Sequence, residues 1–244
     1  MKFEKITKSN VKHLRFLHSK KYRQKYNQFI VEGYKSVREF INSAYKCVAL
    51  FGKEDALAEF YSHDFEKYIC NTKELQQIST LKNPQDIVGV FEIPVLKPID
   101  YRQDFIVALD DMRDPGNLGT VIRTADWFGL NQILCSETCV DAFNPKVVQA
   151  SMGSLSRINV VYTNLVNELK AIQSHTLVFA DMEGKAYQNF NWNKNILVIG
   201  NEANGISADL KKMKHELIAI PQKGKAESLN VAVSAAIIMS RVLG

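Results

Sequence analysis

The 244-residue chain has no uninterrupted apolar run of about 20 residues, the length a membrane-spanning helix needs, so no span is expected. Its first ten residues carry charges and no apolar stretch, which argues against a secretory leader. Cysteine is scarce: Cys47, Cys70, Cys135 and Cys139 form no CxxC pair. Cys135 and Cys139 are close enough to share a metal in principle, but no histidine cluster joins them, so no metal is expected. A reduced, cytoplasmic setting is the plainer expectation. Acid is nearly missing from one end. Residues 1–25 hold nine Lys or Arg against the single acid Glu4, although the whole chain is only +5, so the remainder is net acidic. No internal repeat or low-complexity tract is present. What remains is an ordinary globular composition, 46% hydrophobic and 23% charged, long enough for one large domain or two of moderate size.

The basic end points to an anionic partner, most simply a nucleic acid backbone, with a solvated helix face as the alternative. Tyr22 and Tyr26 interleave with the lysines, and such rings stack on unpaired bases; Phe29 reads instead as the start of a core strand. After a basic helix near residues 8–24, short apolar runs at Phe29–Val31, Val48–Phe51, Tyr68–Cys70 and Ile87–Glu92 read as strands. Val37, Phe40 and Ile41 recur at helical spacing between the first two. Two prolines, Pro94 and Pro98, resist regular structure and mark a linker. This predicts a small α/β domain over residues 1–95, a linker over 96–104 and a larger domain over 105–244. In the second domain Phe105–Leu109, Gln132–Cys135, Thr176–Ala180, Ile196–Ile199 and Leu217–Ile220 read as buried strands separated by helices. Strands alternating with helices predict an α/β fold with a parallel sheet covered on both faces.

Ligands of such sheets lie beyond the carboxyl ends of the strands, and three polar, glycine-containing stretches fall there. The first is Asn117-Leu118-Gly119-Thr120-Val121-Ile122-Arg123. A helix is expected from about Leu118 to Phe128, with Asn117 placed as its N-cap and Arg123 turned away from the apolar stripe. Arg123 taken alone is equally well a surface arginine. The second, Gly200–Ile206, sets Asn201, Glu202 and Asn204 between two glycines, so the loop can wrap a ligand with its own amides or simply form a turn. Ile206 stands where a phosphate-binding Walker loop needs lysine, and GxGxxG is absent, which disfavours a nucleotide-dependent enzyme. The third is Ile220-Pro221 followed by Glu227-Ser228-Leu229-Asn230. Here a helix is expected to begin near Ser228, either as a simple N-cap or as a polar ligand group at a helix start. Along that helix Ala232, Ala236 and Ser240 form a small-residue stripe beside the apolar Leu229, Val233 and Ile237.

Together, in this order and spacing, the three stretches resemble the signature motifs of the SpoU/TrmH family of RNA ribose 2′-O-methyltransferases, as does Ala150-Ser151-Met152-Gly153-Ser154. Phe29-Ile30-Val31-Glu32-Gly33 is similar to the small substrate-binding domain that many members carry, a fold shared with certain ribosomal proteins. The resemblance implies a trefoil-knotted C-terminal domain, a homodimer with sites at its interface, and S-adenosylmethionine as cofactor. It implies a site lined by Gly200, Ile220, Leu229 and Asn230, largely through backbone groups. It assigns Arg123 to the ribose hydroxyl or the adjacent phosphate. A guanidinium is a donor, so the clamping role fits it better than that of base. Asn117, Ser228 and Asn230 would order the site and Glu202 would hold the second loop, with no metal needed. Gln222 departs from the apolar residue usual after Ile-Pro. The extra N-terminal domain favours ribosomal over transfer RNA as substrate. A catalytically silent RNA-binding assembly factor of the same fold is the alternative, against which the intact polar residues speak.

Overall fold

A computed structural model describes residues 3–244. Through residue 95 the chain forms β1 (Glu4–Lys5), α1 (Lys8–Leu17), α2 (Lys20–Tyr26), β2 (Gln28–Glu32), α3 (Tyr34–Ile41), β3 (Cys47–Gly52), α4 (Glu54–Ala58), β4 (Glu66–Ile69), α5 (Thr72–Ile78) and β5 (Ile87–Glu92). It continues with β6 (Phe105–Leu109), α6 (Pro115–Trp127), β7 (Gln132–Ser136), α7 (Pro145–Ala150), β8 (Asn159–Thr163) and α8 (Leu165–Ala171). The last elements are β9 (Thr176–Ala186), β10 (Asn195–Ile199), α9 (Ala208–Lys211), β11 (Glu216–Ala219) and α10 (Val231–Leu243). The chain divides into two compact units, residues 1–95 with 141–156, and residues 96–140 with 157–244.

The first unit is a mixed five-stranded sheet, ordered β1-β4-β3-β5-β2. Alternation along β2 sends Ile30 to one face and Phe29 to the other. Ile30 joins Leu14, Leu17, Phe51, Leu75, Ile78, Val88 and Val90 in a buried core under α1 and α5. Phe29 joins an aromatic cluster, with Phe40 at 5.5 Å, Phe91 at 6.1 Å and Phe143 at 4.7 Å between ring centroids. Phe143 explains why residues 141–156 fold with this unit, a return to it that the linker prolines do not reveal. An ion pair reinforces the attachment. Arg23, 2% exposed, meets Asp141 at 2.6 Å, and its guanidinium also donates to the carbonyls of Leu17 and His18 at 3.0 and 2.9 Å. A buried guanidinium is tolerable only with its donors used in this way. Arg23 therefore does not belong to the solvent-facing charge run.

The basic helix expected over residues 8–24 is two helices. α1 ends at His18, and Ser19, with φ −97° and ψ 135°, is the extended residue that starts α2. The strands of this unit stand where the hydrophobic runs place them, with β1 as an addition at the sheet edge.

The second unit is a six-stranded sheet ordered β11-β9-β10-β6-β7-β8, parallel throughout. β6, β7 and β10 are buried along their whole length, as expected of strands covered on both faces. Ile106, Ala108, Leu134, Ile196 and Val198 pack beneath Leu165, Leu169 and Leu210 of α8 and α9. α6 and α10 pack against each other. β8 is absent from the sequence reading. It is an edge strand, mostly half-buried, whose terminal residues Asn159 and Thr163 blur the apolar signal. β6 lies between β7 and β10, so the chain leaves β6 toward one sheet edge and returns through β10 on its other side. This is a topological switch point, and the loops after β6 and β10 open there side by side.

Candidate active site

The loop after β6 is set by hydrogen bonds from three directions. Asp110, 6% exposed, donates its amide to Ile199 O at 2.9 Å and accepts Ser207 N–H at 2.8 Å, tying the end of β6 to the end of β10. Asp111 has φ +56°, a left-handed conformation unusual for a side chain with a Cβ. Its amide donates to Ser136 Oγ and its carbonyl accepts Asn201 Nδ2, each at 2.8 Å. Met112 N–H donates to the buried Cys139 Sγ at 3.2 Å. The Cys139 thiol is drawn down to about 7, chiefly by a hydrogen bond from Cys135, whose own thiol is pushed up by the same bond and by burial. Among the described residues no group of three or more His, Cys, Asp or Glu could hold a metal. Cys139 also donates to Leu109 O at 3.3 Å, so its thiol ties the end of β6 to the loop that follows.

α6 begins one turn earlier than the apolar spacing suggests. Its N-cap is Asp114, whose carboxylate accepts Asn117 N–H at 2.8 Å, and Pro115 occupies the first helical turn. Asp-Pro is the stronger start signal, because a carboxylate answers the free amides and proline needs no partner there. Asn117 is thus released from capping, and its side chain is used elsewhere.

Asn117 Nδ2 donates to Glu202 Oε1 at 2.8 Å, and Asn117 Oδ1 accepts Asn230 Nδ2 at 2.9 Å. Asn230 Oδ1 in turn accepts the amides of Ala232 and Val233 at 2.9 and 3.2 Å, making Asn230 the N-cap of α10. The polarity of this chain is forced throughout. Helix amides can only donate, so Asn230 presents its NH2 to Asn117, and the Asn117 NH2 is left for a carboxylate that only accepts. One side chain from each of the three stretches is thereby joined, Asn117 from the first turn of α6 and Glu202 and Asn230 from the loops after β10 and β11. Ser228 is exposed in the loop before α10 and is not its cap, because Asn230 fills that position. Arg123 lies on α6 six residues beyond Asn117. It is exposed and has no hydrogen-bond or ion-pair partner among the described residues.

The second loop is closed on itself. Asn201 and Gly205 exchange amide–carbonyl bonds of 2.9 Å in both directions, and Asn201 Oδ1 accepts the amides of Ala203 and Asn204. A Cβ at Gly200 would lie 2.3 Å from Gly205 C, so only glycine fits, and Gly205 has φ +65°. The third loop, residues 221–230, is exposed along its length, and Gln222 is spent on the carbonyls of Gly224 and Ala226 within it. The peptide groups of Gly200, Ile220 and Leu229 take no hydrogen bond within the described chain, and Gly200 is buried. A buried peptide group without a partner is costly unless something supplies one. That cost falls on Gly200, which therefore suits a ligand read through backbone groups, whereas Ile220 is half-buried and Leu229 exposed, where water serves their peptides.

The profile of the SpoU rRNA Methylase family matches residues 104–240, and that of the MRM3-like substrate binding domain matches residues 8–89. The chain belongs to the SpoU rRNA methylase family. It is 33% identical over 246 residues to the 23S rRNA (guanosine(2553)-2′-O)-methyltransferase RlmP of Bacillus subtilis, with 99% of this chain and 98% of the relative covered. A TrmH-family structure from Porphyromonas gingivalis superposes with a TM-score of 0.87 at 34% identity, covering 97% of each chain. An rRNA methyltransferase from Sinorhizobium meliloti, solved with AdoMet bound, gives 0.86 at 31% identity over 98% of this chain and 95% of that one. Within this SpoU member the structure brings Asn117, Glu202 and Asn230 together. Asp110, Asp111, Asp114 and Asn201 escaped the sequence reading as site-builders, although the Asp-Asp pair closing a buried strand was a usable signal.

Proposed function

We propose that this SpoU-family protein transfers a methyl group from S-adenosylmethionine to a ribose 2′-hydroxyl of ribosomal RNA. The observation that carries the reading is the hydrogen-bonded chain Glu202–Asn117–Asn230, which gathers the three family stretches at the carboxyl edge of a parallel sheet. The S. meliloti relative binds AdoMet and the B. subtilis relative is named for a 23S rRNA guanosine. Large-subunit rRNA is accordingly the first substrate to test.

Gly200, Ile220 and Leu229 would hold the cofactor through their peptide groups, with Asn230 fixing the start of α10 beside it. When bound, the sulfonium supplies an electrophilic methyl. The residues of the chain have the other half of the task, since a ribose hydroxyl is a weak nucleophile that must be aligned and lose its proton as it reacts. Arg123, exposed and unpaired, has all its donors available to clamp the ribose hydroxyl or a neighbouring phosphate. Ser228 and Asn117 order the reacting groups, and Glu202 keeps Asn117 oriented through a bond whose polarity cannot reverse.

We infer further that the protein works as a homodimer. Leu229, in the loop just before α10, and Val233 on that helix are left 49% and 47% exposed, and Trp127 on α6 is 84% exposed. Large apolar side chains so uncovered on and beside two helices that pack together suit a partner surface. Family membership supports a trefoil knot through the loops after β10 and β11, and the four free thiols suit the cytoplasm. The test is to incubate purified protein with methyl-labelled S-adenosylmethionine and total RNA, rRNA and tRNA together, from cells lacking the gene. Label is expected in alkali-resistant 2′-O-methyl nucleotides of that rRNA and of no other RNA. Label confined to transfer RNA, or to a base, would overturn the reading.

A further inference from the structure

The break between α1 and α2 does more than end a helix. On one continuous helix Phe16 and Tyr22, six residues apart, would point about 120° away from each other. Because the chain breaks at His18–Ser19, the two rings stack instead, with centroids 4.3 Å apart and planes 15° from parallel. Tyr22 is in turn near-parallel to Tyr26, at 6.2 Å and 15°. His13 meets Tyr26 edge-on at 4.8 Å and is held by Gln28 Oε1 at 2.8 Å. The result is a row of three aligned rings. Phe16 and Tyr22 are half-buried and Tyr26 is 36% exposed.

Each ring carries its own ammonium. Lys12 Nζ lies 5.7 Å from the Phe16 centroid, Lys21 Nζ 5.9 Å from that of Tyr22 and Lys25 Nζ 5.6 Å from that of Tyr26. Residues 8–27 contain no Asp or Glu. The one base of this segment that is fully buried, Arg23, is already paired with Asp141. The charge of the remaining lysines is left unanswered within the segment.

We propose that Phe16, Tyr22 and Tyr26 form a stacking platform for unpaired nucleotides of the RNA substrate, with Lys12, Lys21 and Lys25 tracking its phosphates. This rests on the RNA methyltransferase reading and adds a site and a substrate form to it. Phe16 and Tyr22 lie too close to admit a base between them, so a base extends the row at its exposed Tyr26 end, with ammoniums beside the rings for its phosphates, since every base presents a face and every nucleotide a charge. A duplex hides its base faces and would use the lysines alone. An acidic protein surface would likewise leave the ordered rings without a role.

The test is fluorescence anisotropy of full-length protein with an unstructured labelled RNA dodecamer, compared with an RNA duplex of equal length, over a series of salt concentrations. Tyr22→Ala with Tyr26→Ala is expected to weaken single-strand binding by roughly 5- to 100-fold while leaving its salt slope and duplex binding unchanged. Tyr22→Phe with Tyr26→Phe should bind as the unaltered protein does. Lys21→Gln with Lys25→Gln should weaken both RNAs and flatten the single-strand slope by about 0.7 per lysine. Tyr26→Ala alone, at the most exposed ring, gives the same single-strand signature should the double alanine variant fail to fold. Unchanged single-strand affinity in the alanine variants, equal losses on duplex, or no single-strand binding by the unaltered protein would each overturn the platform. Calorimetric titration of S-adenosylmethionine on the same samples separates the two readings. Cofactor binding kept while the rings prove silent removes the platform and leaves the enzyme; cofactor binding absent from the unaltered protein removes the enzyme and the proposal built on it.

Discussion

At the residue scale the site depends on side chains whose partners are either fully assigned or missing altogether. Arg123 is the clearest of the second kind. It is exposed on α6 and has no partner among the described residues, so Arg123→Ala should cost no more than the roughly 0.5 kcal/mol usual for surface changes. As the clamp on the ribose or its phosphate it should nonetheless matter greatly, and turnover should fall about 100-fold or more. Denaturant midpoints, single-turnover methylation and cofactor titration on the same variant test this, and near-normal turnover would sink the assignment. Asn117 and Asn230 are of the other kind. Replacing either with alanine leaves a neighbour unsatisfied, at a cost of about 0.5–1.5 kcal/mol. Asn230→Ala also removes the α10 cap, for about 1 kcal/mol more, and should weaken cofactor binding as well. Because both residues act in one hydrogen-bonded chain, the double variant should lose less cofactor affinity than the two single losses added together. Simple additivity in calorimetry would show that the chain is not a functional unit.

At the element scale, strand ends and helix starts decide where those residues stand. The 200–206 loop is anchored at its end by the buried Ile206 and near its start by the Asn201 side chain. Its shape comes from the paired peptides of Asn201 and Gly205 and from the absence of a Cβ at Gly200. Gly200→Ala sets a carbon against backbone that cannot move aside, and a loss of about 1–3 kcal/mol with weakened cofactor binding is expected. Gly205→Ala meets no atom within 4 Å and should cost only the left-handed backbone penalty, about 1–2 kcal/mol. Thermal melts and cofactor titrations of the pair distinguish crowding from backbone strain. An equal effect of both substitutions on cofactor affinity would show that the close approach at Gly200 is not what shapes the loop.

At the scale of the whole molecule the prediction concerns association. Val233 on α10 and Trp127 on α6 leave apolar surface uncovered, and a charge placed there opposes any partner that would bury it. Trp127→Glu should therefore shift a dimer toward monomer in sedimentation while each subunit stays folded. An unaltered protein that sediments as a monomer at micromolar concentration would remove the dimer proposal. If the dimer holds and its sites draw Arg123 from one subunit and Asn230 from the other, a mixed dimer of Arg123→Ala and Asn230→Ala subunits has one whole site, and activity partly returns. No recovery would place both residues of a site on the same subunit.

Much of the fold was open to reading in the sequence, because periodicity is a local property that burial imposes directly. The continuous apolar runs of β6, β7 and β10 are what strands buried on both faces must look like, and their alternation with helices dictates a parallel sheet. The three polar loops were likewise legible as positions at strand ends. Tertiary structure alone decided the rest, and in each case the cause is a partner far away in the chain. Arg23 reads as one more surface base until Asp141, 118 residues on, buries it. Asn117 reads as a cap until Asp114 takes that place and frees it for Glu202 and Asn230. Residues 141–156 read as part of the second domain until Phe143 reaches the aromatic cluster of the first. Phe16 and Tyr22 point apart on any single helix, and only the turn at His18–Ser19 stacks them. Spacing records which face a residue must bury; it carries no record of which distant group will meet it there.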